Sequence, residues 1–304
     1  MAWLQRLDQP LKQPLLDDLG DTWAALLEQL GPVSPFELAV LGGQAMPTPG
    51  LAFLTGYQAA LRVLWPSAPP SLGALCASEK RSVRPADMHM RLDMEALRLS
   101  GSKDFVTGGM DADWLLVAAR SETISEPPRL SLAVVYPGEP GVRLEPLPAL
   151  PLMPEVGHAR LHLDQALCER LAGDGWDAYV KPFRSLEDLY VLSALCAWLY
   201  GIGRANGWSQ GLMLRLMALL AGCAEGTRQS AEAPASHLLL GGLFAQFSGL
   251  RDEINKALAD TEGEWADLWM RDQGILDIAS AARAKRLEQA WRLSTAFLLS
   301  LIHI

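Results

Sequence analysis

Several short stretches place chemically active residue types at useful spacings. Gly207-Trp208-Ser209-Gln210-Gly211 matches G-x-S-x-G, the elbow that presents a nucleophilic serine between a strand and a helix. His158 and His162, followed by Asp164, have the spacing that brings two imidazoles to one metal ion on a helix. Glu187 stands at the head of a long apolar segment, between Ser185 and Asp188. An acid there can serve as a base, or it can help start a helix, with Ser185 as N-cap and acids in the first turn. Gly201-x-Gly203 begins like a dinucleotide fingerprint but lacks the third glycine and a leading strand.

The surrounding elements decide between these chemistries. The run before Ser209 reads as helix rather than strand, so Ser209 is expected to be a polar residue at a glycine-rich packing site. The stretch around His158 reads as a strand, which points both histidines to one face as a solvated or partner-facing pair rather than a metal site. Asp111 and Asp113 fall in a turn, where acids cap local amides. Four cysteines (Cys76, Cys168, Cys196, Cys223) are widely spaced with no C-x-x-C pair. They read as buried free thiols of a cytosolic protein, not as a disulfide frame or zinc site.

The N-terminal part is helical. Leu15, Leu16, Leu19, Trp23, Leu26, Leu27 and Leu30 recur at helical spacing from about Pro14, and Gly31-Pro32 ends that helix. Ser34-Pro35 with Glu37 predicts a second start, and a further helix is expected from about Pro49 to Leu64. Three prolines between Pro66 and Pro70 mark a domain boundary. Candidate strands follow at 72–77, 89–99, 105–107, 114–119, 129–136, 142–147 and 158–163, a pattern for an antiparallel barrel or small sandwich. The rest reads as a helical bundle: one long element over 186–224, another over 235–259 and a last one from Glu264. The expected domains are therefore 1–70, 71–165 and 166–304, in an α+β fold.

Composition narrows the function. The chain has 304 residues, half of them hydrophobic, and a net charge of -9. That charge argues against binding a nucleic-acid backbone, which calls for a basic stripe. Asp8, Asp17, Asp18 and Asp21 interrupt any signal-peptide pattern, and Arg204, Asn206 and Arg215 interrupt the apolar stretch 189–223. The expectation is a cytoplasmic protein without a membrane span.

The centre of the chain is Leu97 to Arg120, read as two strands joined at Gly108-Gly109, with Gly101 breaking the first. Gly101-x-Lys103-x-Phe105-Val106-Thr107, then Ala112-Asp113 and an apolar strand ending Ala119-Arg120, resembles the middle β-domain of the acyl-CoA dehydrogenase superfamily. The family pattern there is Gly-x-Lys-x-Trp-Ile-Thr, Ala-Asp and Ala-Arg. The likeness is clear over about 72–120, fair over 165–225 and weak elsewhere.

The resemblance implies helices, β-domain, helices, and an FAD cofactor. Phe105, in place of the family's tryptophan, would lie beside the flavin ring, and the Thr107 hydroxyl would bond its polar edge. Ser78 and Glu79 fall where a Thr-Glu-Pro loop contacts flavin and acyl-CoA; Lys80 replaces the proline, and the following Gly-Ser-Asp is lost. Without the cofactor, Phe105 and Thr107 would be ordinary strand residues. The implied reaction is α,β-dehydrogenation of an acyl-CoA or similar thioester in fatty acid metabolism. The usual late base and its Gly-Gly-x-Gly stretch have no counterpart; Glu187 lies within about one position of the base used by a minority of members. The Arg-x-x-Phe-Gly loop has no match beyond Arg228, and the N-terminal helical part is short. The implied partners are an electron-transfer flavoprotein and further copies of the chain, as a homodimer or homotetramer. The alternative is a degenerate, non-catalytic homologue acting as a subunit or partner of a full-length relative.

Overall fold

The fold is taken from a computed structural model that describes residues 2–9, 18–80, 82–122 and 126–302. Helix α1 spans Ala2–Leu7 and α2 spans Leu19–Leu30. The expected start of α2 near Pro14, with Leu15 and Leu16, lies outside the described residues. From Leu19 onward the helical spacing holds: Trp23, Leu26 and Leu30 are buried, and Gly31 ends the helix at a φ of 64°. Helix α3 (Pro35–Ala45) opens on a capping box. Glu37 N donates to Ser34 Oγ (3.3 Å) and Ser34 N donates to Glu37 Oε2 (3.0 Å), which satisfies two otherwise orphaned amides. Helix α4 (Pro49–Leu64) stops before Trp65-Pro66, as expected.

The strands are β1 (Gly73–Cys76), β2 (Arg91–Asp93), β3 (Arg98–Thr107), β4 (Trp114–Arg120), β5 (Leu130–Val135), β6 (Val142–Pro146), β7 (His158–Leu167) and β8 (Glu169–Arg170). They form one sheet in the order β6-β7-β3-β2-β4-β5-β8, with β1 beside β4. Most ladders are antiparallel, but β1 and β2 each meet β4 in parallel, which an all-antiparallel reading misses. The strand expected over 89–99 is divided. Asp93 Oδ1 accepts from Glu95 N and Ala96 N, both at 2.9 Å, and that Asx turn separates β2 from β3. Gly101 does not break β3 as expected; it makes a bulge at a φ of 135°, where a Cβ would sit 2.9 Å from the Met90 backbone. Leu99, Val106, Leu115, Val117, Leu161 and Leu163 face one apolar core.

A π-helical turn at Trp176–Val180 leads into α5 (Lys181–Ala205). Pro182 has no amide to give the preceding turn, and the wider turn accommodates it. The helix therefore starts before the expected Leu186. It also ends earlier than the single element over 186–224. Gly207, at a φ of 66°, turns the chain, and Ser209 Oγ accepts from Leu212 N (3.2 Å) as the N-cap of α6 (Gln210–Gly226). Ser209 thus has a capping role and no strand before it. After α7 (Pro234–Ala259) the expected last helix is two: α8 (Trp265–Asp272) and α9 (Ser280–Ile302), separated by the 3-10 segment Gln273–Asp277. The window of 176–205 that is apolar enough to cross a membrane is 83% buried inside the protein.

Contacts group these elements into two compact units. One holds α1, α3, most of α4 and the chain from Ser185 onward; the other holds most of α2 and Leu61–Arg184, including the sheet. In the helical unit α3 and α4 meet α5 backbone to backbone: a Cβ on Gly43 would lie 2.5 Å from Ala194 O, and one on Gly56 would lie 2.7 Å from Tyr190 O. In the sheet unit, Arg62 Nη2 donates to the carbonyls of Pro69 (3.2 Å), Pro70 (2.8 Å) and Ser71 (2.8 Å). The same guanidinium lies over the Trp23 ring, and burial lowers its pKa to about 10.

Candidate functional site

The pleat of β3 sets out the site. Val106 points into the core and is fully buried, so Phe105 and Thr107 point to the opposite face of the sheet. Phe105 is 40% exposed there. Strand β7 runs alongside with Thr107 directly opposite His158 and Val106 opposite Ala159. His158 therefore shares the outer face, and its ring lies 4.5 Å from that of Phe105 at 34°. Only 2% of His158 is exposed, and no side chain hydrogen-bonds either ring nitrogen. Burial lowers its pKa below the usual imidazole value, opposed by the nearby Val156 backbone, so the ring is neutral. His162 differs: it is half-buried, and Nε2 lies 3.0 Å from Glu145 Oε2. The expected solvated or partner-facing pair is thus one buried ring and one ring hydrogen-bonded to a carboxylate. Among the described residues no cluster of three or more His, Cys, Asp or Glu side chains could hold a metal ion.

The loop after β1 closes on the same strand. Asp104 N donates to Ser78 O (3.2 Å), and Lys80 N donates to the Asp104 carboxylate. Ser78 is therefore anchored to the residue next to Phe105. Glu79 turns the other way and is buried. Its Oε1 lies 2.7 Å from Lys103 Nζ, and it accepts from His89 N (2.5 Å) and Met90 N (3.2 Å). Lys103 is itself fully buried; desolvation lowers its pKa and the Glu79 charge works against that. In this structure Glu79 does not face a ligand on the outer face, because its carboxylate is committed beneath β3. The match to the family's Thr-Glu-Pro loop places it with Ser78 at the ligand, yet the two neighbours point to opposite sides.

Glu187 belongs to the helical unit. It is half-buried within α5, beyond the helix start at Lys181, so its reading as a first-turn acid fails. Ser185 is correspondingly no N-cap, and it is buried. Asp188 is a staple: Arg283 Nη1 (2.6 Å) and Arg286 Nη2 (2.5 Å) both bind it from α9. Arg228 sits exposed after α6, paired with Glu225 at 3.2 Å. A cleft of about 270 Å³ between α7 and α9 is lined by Phe244, Ser248, Arg251, Asp277, Arg283 and Leu287. Arg251 binds Asp277 in a fork (2.8 and 2.7 Å), and Arg283 stacks 3.8 Å over Phe244.

On the sheet unit, then, an exposed aromatic ring, a hydroxyl and a buried imidazole lie on one face of the sheet. Such a face suits a flat ring with a polar rim. The spacing of His158 and His162 gave no link to the residues around Phe105; the place of His158 opposite Thr107 follows only once β3 and β7 pair.

No family model and no curated protein matches the chain. Solved structures do. FkbI, for biosynthesis of the methoxymalonyl extender unit of the FK520 polyketide immunosuppressant, is 19% identical over 97% of this chain and 95% of that chain, with a TM-score of 0.59. Butyryl-CoA dehydrogenase from Megasphaera elsdenii is 14% identical over 84% and 80%, with a TM-score of 0.58. The chain has the acyl-CoA dehydrogenase fold. The prolyl acyl carrier protein oxidase AnaB agrees, at 16% identity over 95% and 92% and a TM-score of 0.60. The acyl-CoA dehydrogenase fold thus extends well beyond the motif around Lys103 and Phe105, although so few residues are shared.

Proposed function

We propose that the protein is an FAD-dependent flavoprotein that dehydrogenates an acyl thioester. The observation that carries the reading is the outer-face group of Phe105, Thr107 and His158 on a chain with this fold. The residue types fit the cofactor: Phe105 offers an apolar wall, Thr107 a hydroxyl, and His158 a buried polar ring that no side chain satisfies. Ser78 stands at the margin of the same wall. The solved relatives described as a butyryl-CoA dehydrogenase and as a prolyl acyl carrier protein oxidase support a thioester substrate, borne on CoA or on a carrier protein.

Bound FAD would supply the two-electron acceptor for the β-hydrogen. Glu187 would take the α-proton on its carboxylate, and a hydrogen-bonded thioester oxygen would stabilise the developing enolate charge. Re-oxidation then requires an electron-transfer flavoprotein or dioxygen. Exposed Leu214, Trp291 and Leu293 support assembly into a homo-oligomer, which light scattering would test.

The deciding experiment is the visible spectrum of the protein after adding excess FAD and desalting, followed by turnover of acyl-CoA and acyl-carrier substrates. Stoichiometric flavin with Glu187→Gln losing turnover but keeping flavin supports the reading. Turnover that survives Glu187→Gln removes Glu187 from it. Absence of flavin after reconstitution refutes the enzyme reading and favours the non-catalytic partner.

A further inference from the structure

We infer that His158 is a flavin-contacting residue, the polar group that joins Thr107 in bonding the rim of the ring beside Phe105. The inference rests on the flavin reading above and adds to it a residue that the motif does not contain.

Three observations carry it. His158 is almost wholly buried, and no side chain hydrogen-bonds either ring nitrogen; the Val156 backbone stands beside one of them only. A phenylalanine or leucine would fill the same space without leaving polar atoms unpaired, so the nitrogen that the Val156 backbone does not reach calls for a further partner. The ring lies on the outer face, directly opposite Thr107 in the β3–β7 ladder, so hydroxyl and imidazole are cross-strand neighbours. Its ring packs against that of Phe105, itself 40% exposed. The inference requires Phe105 to turn about its side-chain bonds so that the flavin reaches the imidazole.

The chemistry matches. A neutral imidazole carries one N–H donor and one lone pair. The rim of a flavin alternates acceptor and donor groups, so a neutral histidine beside a threonine hydroxyl can read it in one orientation. A flat aromatic ligand without a polar rim would leave both nitrogens as they are. The burial that keeps the ring neutral keeps the acceptor lone pair available.

The test uses the full-length protein freed of flavin, titrated with FAD and, separately, with riboflavin. His158→Phe keeps the aromatic contact and removes the nitrogens. We expect about tenfold weaker FAD binding, the equivalent of one net hydrogen bond, with a similar loss for riboflavin because the contact is to the ring. The visible flavin bands should shift as well. In parallel, ring-nitrogen NMR of the unaltered protein labelled at histidine should show His158 resonances moving on FAD addition, a readout that needs no variant to fold. Equal affinities and spectra for wild type and His158→Phe, or unmoved His158 nitrogens in the FAD-bound protein, would overturn the inference alone. A wild-type protein that takes up no FAD would overturn the flavin reading, and this inference with it.

Discussion

Removing Lys103 should loosen the sheet unit and, through it, the wall that carries Phe105. The ammonium is fully buried, 2.7 Å from Glu79 Oε1, and 3.4 Å from Ala77 O. At that separation the gross attraction is roughly 6 kcal/mol with an effective dielectric constant near 20, much of it offset by taking both charges out of water. Breaking such a pair by truncating one partner typically costs about 3–5 kcal/mol. Lys103→Met should fall at the lower end, about 3 kcal/mol, because Glu79 keeps the amides of His89 and Met90 as donors. Glu79→Gln should fall at the upper end, because it leaves an ammonium buried without a counter-charge. The double variant should lose no more than the worse single one, giving a coupling of at least about 3 kcal/mol. Urea unfolding followed by tryptophan fluorescence measures all three. Since Lys103 lies two residues from Phe105 on one strand, FAD affinity should fall in the same variants. Losses that simply add in the double variant, or a loss below about 1 kcal/mol for Lys103→Met, would refute the argument.

Three further outcomes are expected. Burial pushes the Glu122 pKa up, but the Arg129 amide and the Arg120 and Arg91 side chains outweigh it and hold it at about 2, against an ordinary 4.5. The folded value lies below the unfolded one, so this stabilisation is complete above about pH 4.5 and is lost as pH falls through about 2. Glu122→Gln should therefore lose up to about 3 kcal/mol at pH 7 and show a flatter acid limb, as urea midpoints across that range would reveal. Burial raises Cys168 to about 11 and Cys76 and Cys223 to about 12, and lifts Cys196 well above its ordinary value. A thiol reagent at neutral pH should find no fast-reacting cysteine among them in the native protein and all of them in denaturant. Gly43→Ala should cost about 3 kcal/mol by pressing a methyl on the Ala194 carbonyl, whereas Gly242→Ala, with open space, should raise the melting temperature slightly.

How much could be read in advance depended on the range of each interaction. The α3 start was legible because Ser34 and Glu37 are three residues apart and need nothing else. That Phe105 and Thr107 share a face is equally local, since they flank the buried Val106 in one strand; a place beside a flavin is what the resemblance implies for them. Glu79 was legible as an acid near the site, but not in its role, because its partner is 24 residues away and arrives only when β3 is laid beneath the loop. His158 was misread with His162 because period-2 spacing gives a face and not what covers that face; Phe105 packs against one ring and Glu145 pairs the other. Ser185, read as an N-cap, suggested a late start for α5, and only the wider turn before Lys181 shows how Pro182 is carried inside the helix.

The grip of Arg62 gives the proline stretch a mechanical meaning. Proline supplies a carbonyl but no amide, so a run of prolines leaves acceptors with few donors of its own making. One guanidinium nitrogen gathers three consecutive carbonyls, from Pro69 to Ser71, and the Trp23 indole nitrogen donates to Pro70 O from a second helix at 2.8 Å. What composition presents as a joint is thereby a splint. A protease seeking a loose strap should pass over it, and a tag spliced between Pro66 and Pro70 would be spliced into a rigid bracket, felt at once where α4 ends and β1 begins.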